Sequence, residues 1–187
     1  MKVHQWLAAS VAIVALASSS ALAEGTKSEK RAEVLKASKA TLADFYKADP
    51  KLKAQVVKAP GYATFTTYGI SFLIGGAGGK GIAHNVKTGK ETFMDMAQAS
   101  AGLQVGASQS KILIVFKDAA AMQQFVDKGW EFGAGGGAGV GVGGKGASSG
   151  GGANFIADAD YYTLTPNGLQ IGGAVAGTKF WKDKELN

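Results

Sequence analysis

Three short stretches of the chain carry the spacing of catalytic or nucleotide-binding motifs, and each lacks a part that its chemistry requires. Gly139 to Lys145 (GVGVGGK) fits GxxxxGK, in which backbone amides cradle phosphates and a hydroxyl after the lysine holds magnesium. Gly146 stands where that hydroxyl is needed. The segment also continues a period-two pattern, where a phosphate loop would follow a strand and open a helix. The overlapping Gly139-x-Gly141-x-x-Gly144 meets GxGxxG for the same reason, and no helical pattern follows it. Ser108 to Lys111 fits SxxK and Lys87-Thr88-Gly89 reads KTG. Both belong to penicillin-binding serine enzymes, but here their order is reversed and no SxN element lies between them.

The remaining titratable groups are too sparse for catalysis or metal binding. Past the first four residues His84 is the one histidine, so a two-histidine metal site or a histidine relay has no partner. Asp95, Asp158 and Asp160 show no paired carboxylate spacing, and Asp158 with Asp160 lacks the ligand density of a calcium loop. With no cysteine there is no thiol nucleophile, thiolate site or disulfide. The expectation is a protein that is not an enzyme, with no metal and no cofactor.

Residues Met1–Ala23 combine a positive end at Lys2, an apolar core from Leu7 to Leu16 and the small-residue pattern Ala21-Leu22-Ala23. That is a secretory signal peptide cleaved after Ala23, with a core shorter than the roughly 20 residues of a membrane-spanning helix. No later segment is long and apolar enough to span as a helix. The chain then divides into a signal peptide (1–23), a basic amphipathic helical segment (24–58) and a β-rich domain (59–187) that forms one unit with the helices. The leader takes Lys2 and no acidic residue with it, so the formal charge of +6 becomes +5. A basic exported protein meets anionic lipid head groups before nucleic acid. The expected location is the periplasm or the envelope. Without a cysteine to lipidate, attachment to a membrane must be non-covalent.

Positioning falls to the elements. Ser28 to Asp49 reads as a helix, with Leu35, Leu42, Phe45 and Tyr46 on one face, extended by Ala32 and Ala43. Lys30, Arg31, Lys36, Lys39 and Lys47 lie around its sides and back, and Pro50 ends it. Lys51 to Lys58 forms a second short helix. From Tyr62 the texture turns to β: Tyr62 to Ile74, Ile82 to Val86, and Glu91 to Ala97 behind the turn Lys87-Thr88-Gly89-Lys90. Gly102 to Ala107 alternates, and Lys111 to Phe116 (KILIVF) is the best buried central strand. Asp118 caps a short helix through Val126 that turns Ala121, Met122 and Phe125 inward and stops at Gly129. Tyr161 to Thr165 and Leu169 to Phe180 close the chain as a hairpin around Pro166-Asn167-Gly168.

About eight short, mostly antiparallel strands with these helices give an α+β domain. Trp130 to about Val142 reads as a strand with a bare glycine face, bent near Gly135-Gly136-Gly137, and Lys145 to Gly152 as a surface loop. Small faces let layers approach closely, so a second reading is an envelope assembly protein whose glycine-faced sheet packs on another copy. An outer-membrane barrel fits less well. The helix at 118–126, the polar end Lys182–Asn187 and the missing aromatic girdles all count against it.

Ala59-Pro60-Gly61-Tyr62-Ala63, Gly102 to Ala107, Ile112 to Phe116, Gly129-Trp130-Glu131 and Gly177-Thr178-Lys179, in this order, resemble the SYLF-domain family over roughly Ala32 to Lys182. The resemblance implies lipid binding: eukaryotic members bind phosphoinositides through a basic amphipathic N-terminal segment together with the domain, and fungal members also bind actin filaments. The basic segment maps onto Lys30, Arg31, Lys36, Lys39 and Lys47. For an exported protein the corresponding partner is anionic phospholipid, met peripherally. Gly133 to Gly152 departs from the family, which has a more varied and polar stretch there.

Overall fold

The computed structural model describes residues 15–72, 76–99, 110–132, 138–139, 148–149, 153–154, 158–172, 174–175 and 177–187. Its helices are α1 (Ala15–Ala48), α2 (Lys51–Lys58) and α3 (Ala119–Lys128). The longer strands are β1 (Gly61–Phe72), β2 (Gly76–Asn85), β3 (Glu91–Ala99), β4 (Lys111–Phe116) and β5 (Trp130–Phe132), then β9 (Ala159–Thr165), β10 (Gly168–Ile171) and β12 (Thr178–Lys182). Four strands have two residues each: β6 (Ala138–Gly139), β7 (Ser148–Ser149), β8 (Ala153–Asn154) and β11 (Ala174–Val175). The fold is α+β, and every strand pairing is antiparallel.

Nine strands form one sheet in the order β10-β9-β4-β1-β2-β3-β12-β5-β6, and β11-β8-β7 form a small second one. The large sheet curls on itself. Five strand spacings separate β4 from β5, about 24 Å in a flat sheet, yet the rings of Phe116 and Trp130 lie 5.6 Å apart. Likewise Phe65 on β1 reaches Phe180 on β12 at 4.7 Å across three spacings. Helix α3 fills the curl. Its Phe125 is wholly buried and touches Phe65, Phe116, Trp130 and Phe180, which come from four strands.

Local signals place α3 where its sequence puts it. The Asp118 carboxylate accepts from Ala121 N at 2.7 Å, capping the first turn. Ala121, Met122 and Phe125 are buried, joined by Val126. Gly129 ends the helix at φ 71°, and a Cβ there would stand 2.1 Å from the Phe180 carbonyl oxygen. Both the torsion and the space demand glycine. KILIVF is the expected central strand, with Ile112–Phe116 all buried.

The structure redraws other expectations. The described part of helix α1 reaches back to Ala15, thirteen residues before the expected Ser28. Ala32 and Ala43 are exposed, so they do not extend its inner face. Gly76–Gly81, glycine-rich and lying between the expected strands Tyr62–Ile74 and Ile82–Val86, is the first part of β2. The expected single strand from Trp130 contains two, β5 and β6, which pair with each other antiparallel. Ser148–Ser149 pairs with Ala153–Asn154, inside the stretch taken for a loop. Gly102 to Ala107 and the bend at 135–137 lie outside the described residues.

Glycine on β2 has a local use. Gly81 pairs with Phe65, and a Cβ on Gly81 would fall 2.6 Å from that ring. At Gly79 it would meet Met96 at 2.9 Å. At these two positions the bare face is therefore covered by side chains of the neighbouring strands.

Candidate functional site

Helix α1 lies across the outer face of the sheet and is held there by two different kinds of contact. Phe45 is buried with Leu52, Val56, Leu113, Val115 and Tyr162, and Leu42 and Tyr46 pack beside them. Nearer the N-terminus Val34 and Leu35 pack on Ile82, Phe93 and Leu186. Between these apolar ends the interface is made of hydroxyls. Ser38 Oγ lies 2.5 Å from Thr64 Oγ1, and Thr41 Oγ1 lies 2.9 Å from Thr66 Oγ1, all four side chains buried. Sequence reading missed this stripe because it followed apolar residues. The signal was present: Ser38 and Thr41 are three apart on the helix, and Thr64 and Thr66 alternate on the strand.

Of the six basic residues of α1, Lys27 is half-buried and donates to Asn187 O at 3.0 Å, while the five expected ones, Lys30, Arg31, Lys36, Lys39 and Lys47, are solvent-exposed. They do not form one patch. At about 100° per residue, Lys36 and Lys47 oppose the buried stripe, Lys39 and Lys30 lie on opposite flanks, and Arg31 falls on the stripe's own azimuth, N-terminal to Val34. The Arg31 guanidinium lies 5.0 Å above the Phe93 ring. Lys47 is 3.9 Å from Asp44 Oδ1, while Asp44 Oδ2 takes Lys111 at 2.5 Å. Glu29 and Glu33 are exposed among them, so α1 carries a mixed belt with an excess of positive charge. A recess of about 700 Å³ opens beside its last turn, lined by Asp44, Lys47, Ala48, Lys111, Leu164, Thr165 and Pro166.

A second basic surface is flanked by acids, Asp49 and Glu91, but has none within its two segments. Residues 51–61 and 85–90 hold five lysines and no Asp or Glu. Those lysines, on α2 and on the turn between β2 and β3, are exposed. Val57 is 65% exposed and Val86 37%, two of the four large apolar side chains open to solvent among the described residues. Val86 N donates to Pro60 O at 3.1 Å, joining the turn to the segment that leaves α2. The sequence showed this surface only as a charge run without acids.

The residues weighed for other chemistry are engaged structurally. His84 stacks on Tyr62 at 5.0 Å, with Nδ1 3.6 Å from Glu91 Oε1. Lys87-Thr88-Gly89 is the hairpin turn, with Gly89 at φ 70°. Asp160 pairs with Lys117 at 3.0 Å. No cluster of three or more metal-ligating side chains occurs among the described residues. Residues 140–146 of the phosphate-loop match and Ser108 of SxxK lie outside them. Asp183 is buried and accepts from Glu185 N at 2.8 Å and Leu186 N at 2.9 Å through Oδ1. Its Oδ2 meets Lys80 Nζ at 2.5 Å, and Lys80 also reaches Asp95 at 2.7 Å. Desolvation opposes charge on both groups, but these hydrogen bonds outweigh it: the Asp183 pKa is lowered and that of Lys80 raised. Among the described residues, no helix is long and apolar enough to cross a membrane.

The chain is 31% identical over 161 residues to Beta cell expansion factor A of Aeromonas veronii, a match that covers 86% of this chain and 60% of that protein's length. Residues 97–187 match the family described as Ysc84: Las17-binding protein actin regulator. Over those residues the chain is similar to the Ysc84 family, the SYLF domain.

Proposed function

We propose that this is an exported, non-catalytic lipid-binding protein that associates peripherally with anionic phospholipid membranes. The observation that carries the reading is the exposure of Lys30, Arg31, Lys36, Lys39 and Lys47 on α1 while the helix's inner stripe is engaged by the sheet. Cations held clear of the body are available to lipid phosphates, each contributing on the order of 1 kcal/mol near an anionic surface. The leader-like Met1–Ala23 favours the periplasm or envelope over the actin partner named in the family description. No protein partner or nucleic acid is invoked, and the sparse titratable inventory gives no reason to add a reaction.

The test is co-sedimentation of the protein with neutral and anionic vesicles at low and physiological salt. Anionic vesicles should carry it down, less at higher salt. A Lys30/Arg31/Lys36/Lys39→Ala variant should bind less. Equal pelleting on both vesicle types rules the electrostatic reading out.

A further inference from the structure

Cations alone recruit a protein reversibly, and retention needs apolar contact. The apolar residues of α1 from Val34 to Tyr46 are spent on the sheet, so that contact must come from elsewhere. We propose that α2 and the β2–β3 turn together form the surface that seats the protein on an anionic bilayer. Val57 and Val86 enter the head-group layer, and Lys53, Lys58, Lys87 and Lys90 pair with lipid phosphates. The proposal rests on the lipid-binding reading above and assigns it a face.

Four observations converge on this face. The register pairs Gly61 with Asn85, so the exit from α2 and the start of the turn meet at one end of the sheet. Val57 is two residues from Gln55, hence about 200° round α2, and Gln55 Oε1 accepts from Tyr162 on β9 at 2.8 Å. With the strand order β9-β4-β1-β2, the flank bearing Val57 and Lys53 is therefore turned toward β2 and its turn. The turn is held by its own bonds: Asn85 Oδ1 accepts from Thr88 N at 2.9 Å, Asn85 O from Gly89 N at 2.8 Å, and Lys90 O from Asn85 N at 2.9 Å. A preformed turn loses little entropy on docking.

Charge selects the occupant. On α1 the lysines are mixed with Glu29, Glu33 and Asp44, whereas 51–61 and 85–90 are purely basic. Exposed valines within a surface of five lysines, with acids only at its margins (Asp49 and Glu91), complement a sheet of anionic head groups over apolar chains. A soluble polyanion would give the valines nothing to contact. The arrangement is that of an interfacial amphipathic element, built from a short helix and a turn where a single long helix is more usual.

The test uses the full chain on vesicles of phosphatidylcholine alone and of equimolar phosphatidylcholine and phosphatidylglycerol. Lys53/Lys58/Lys87/Lys90→Ala should lower partitioning onto the anionic vesicles by about tenfold or more. Val57/Val86→Ser should leave low-salt recruitment in place and abolish the fraction that stays bound at high salt. The chain has no cysteine, so Val86→Cys and Lys36→Cys can each carry one environment-sensitive fluorophore. The label at position 86 should shift to the blue on anionic vesicles and that at position 36 should not. If both patch variants bind like the unsubstituted chain while the α1 variant alone loses binding, or if the label at 36 shifts and that at 86 does not, this face is wrong and lipid binding stands. If the unsubstituted chain never pellets with anionic vesicles, the lipid-binding reading falls and takes the proposal with it.

Discussion

The two faces of the large sheet are held by different physics. On the inner face Phe65, Phe116, Phe125, Trp130, Phe132 and Phe180 meet ring to ring, with nearest centroids 4.7 to 6.3 Å apart. On the outer face apolar clusters at the two ends of the α1 interface are joined by directional contacts: paired hydroxyls under α1, Lys80 between Asp95 and Asp183, and Arg31 over Phe93. Apolar packing is non-directional and scales with the area removed from water. A hydrogen bond between buried groups adds about 1 kcal/mol net but fixes position. The inner face should therefore set how stable the domain is, and the outer face where α1 lies and what it leaves exposed.

The strongest way to break that contrast is Phe125→Ala. The ring is wholly buried among four others, so the loss combines transfer and cavity terms, about 3–5 kcal/mol. Denaturant unfolding should show most of the stability gone. Phe45→Ala, equally buried under α1, is the matched outer-face control. An equal or larger loss at Phe45 would reverse the assignment of the two faces.

Asp183→Asn probes the largest directional element. The Asn oxygen can still accept from Glu185 N and Leu186 N, but its amide would face the Lys80 ammonium. The expected cost is about 1–3 kcal/mol, limited because Lys80 is partly exposed. The sign with pH follows from the shifts. Asp183 is lowered below its ordinary value near 3.8, so its contribution is present above that pH and is lost as pH falls through the lower folded value. Lys80 is raised above 10.5, so its contribution is complete below that pH and is lost as pH rises through the higher folded value. Unfolding midpoints measured across pH should show the variant nearest to the parent at the acid extreme. A gap unchanged down to the lowest pH would remove the ion pair as its cause.

What the sequence disclosed and what it hid divide along a related line. KILIVF, the Asp118 cap, the Gly129 stop and the KTGK turn are local, and local periodicity and torsion demands were enough to place them. The curl depends on β12 lying between β3 and β5, a pairing of distant segments that no local pattern encodes. Lys80 and Asp183 are 103 residues apart, and neither looks special alone. Gly76–Gly81 lies between the expected strands because glycine disfavours them; only the Phe65 ring lying across Gly81 explains why it belongs to one. The charge on α1 was legible as composition. Its spread around the helix was legible too, but the basic surface at α2 was passed over because no helix of eight residues draws notice on its own.

A subtler test of the outer face is the Ser38–Thr64 pair. Ser38→Ala leaves a buried Thr64 hydroxyl without its partner, which costs about 1–2 kcal/mol. Thr64→Val does the reverse. The double variant replaces both polar groups with apolar ones and should recover much of that loss, giving a coupling energy of about 1 kcal/mol in a double-mutant cycle. Simple additivity would mean that the hydroxyls do not register the helix.

The smallest expected effect lies where the two roles of α1 meet. Arg31 is exposed, yet its guanidinium stacks on Phe93, so it is both a candidate lipid contact and a clamp on the helix. A cation over an aromatic ring at an exposed site contributes about 0.5–1 kcal/mol. Arg31→Ala should lower stability by that amount and weaken vesicle binding. Arg31→Lys separates the two. It keeps the charge that lipid phosphates see but loses the flat face that lies on the ring. If charge is what the membrane reads, the lysine variant should bind anionic vesicles like the parent while keeping most of the stability loss. A lysine variant with parental stability and reduced binding would assign the guanidinium to lipid and leave Phe93 a bystander.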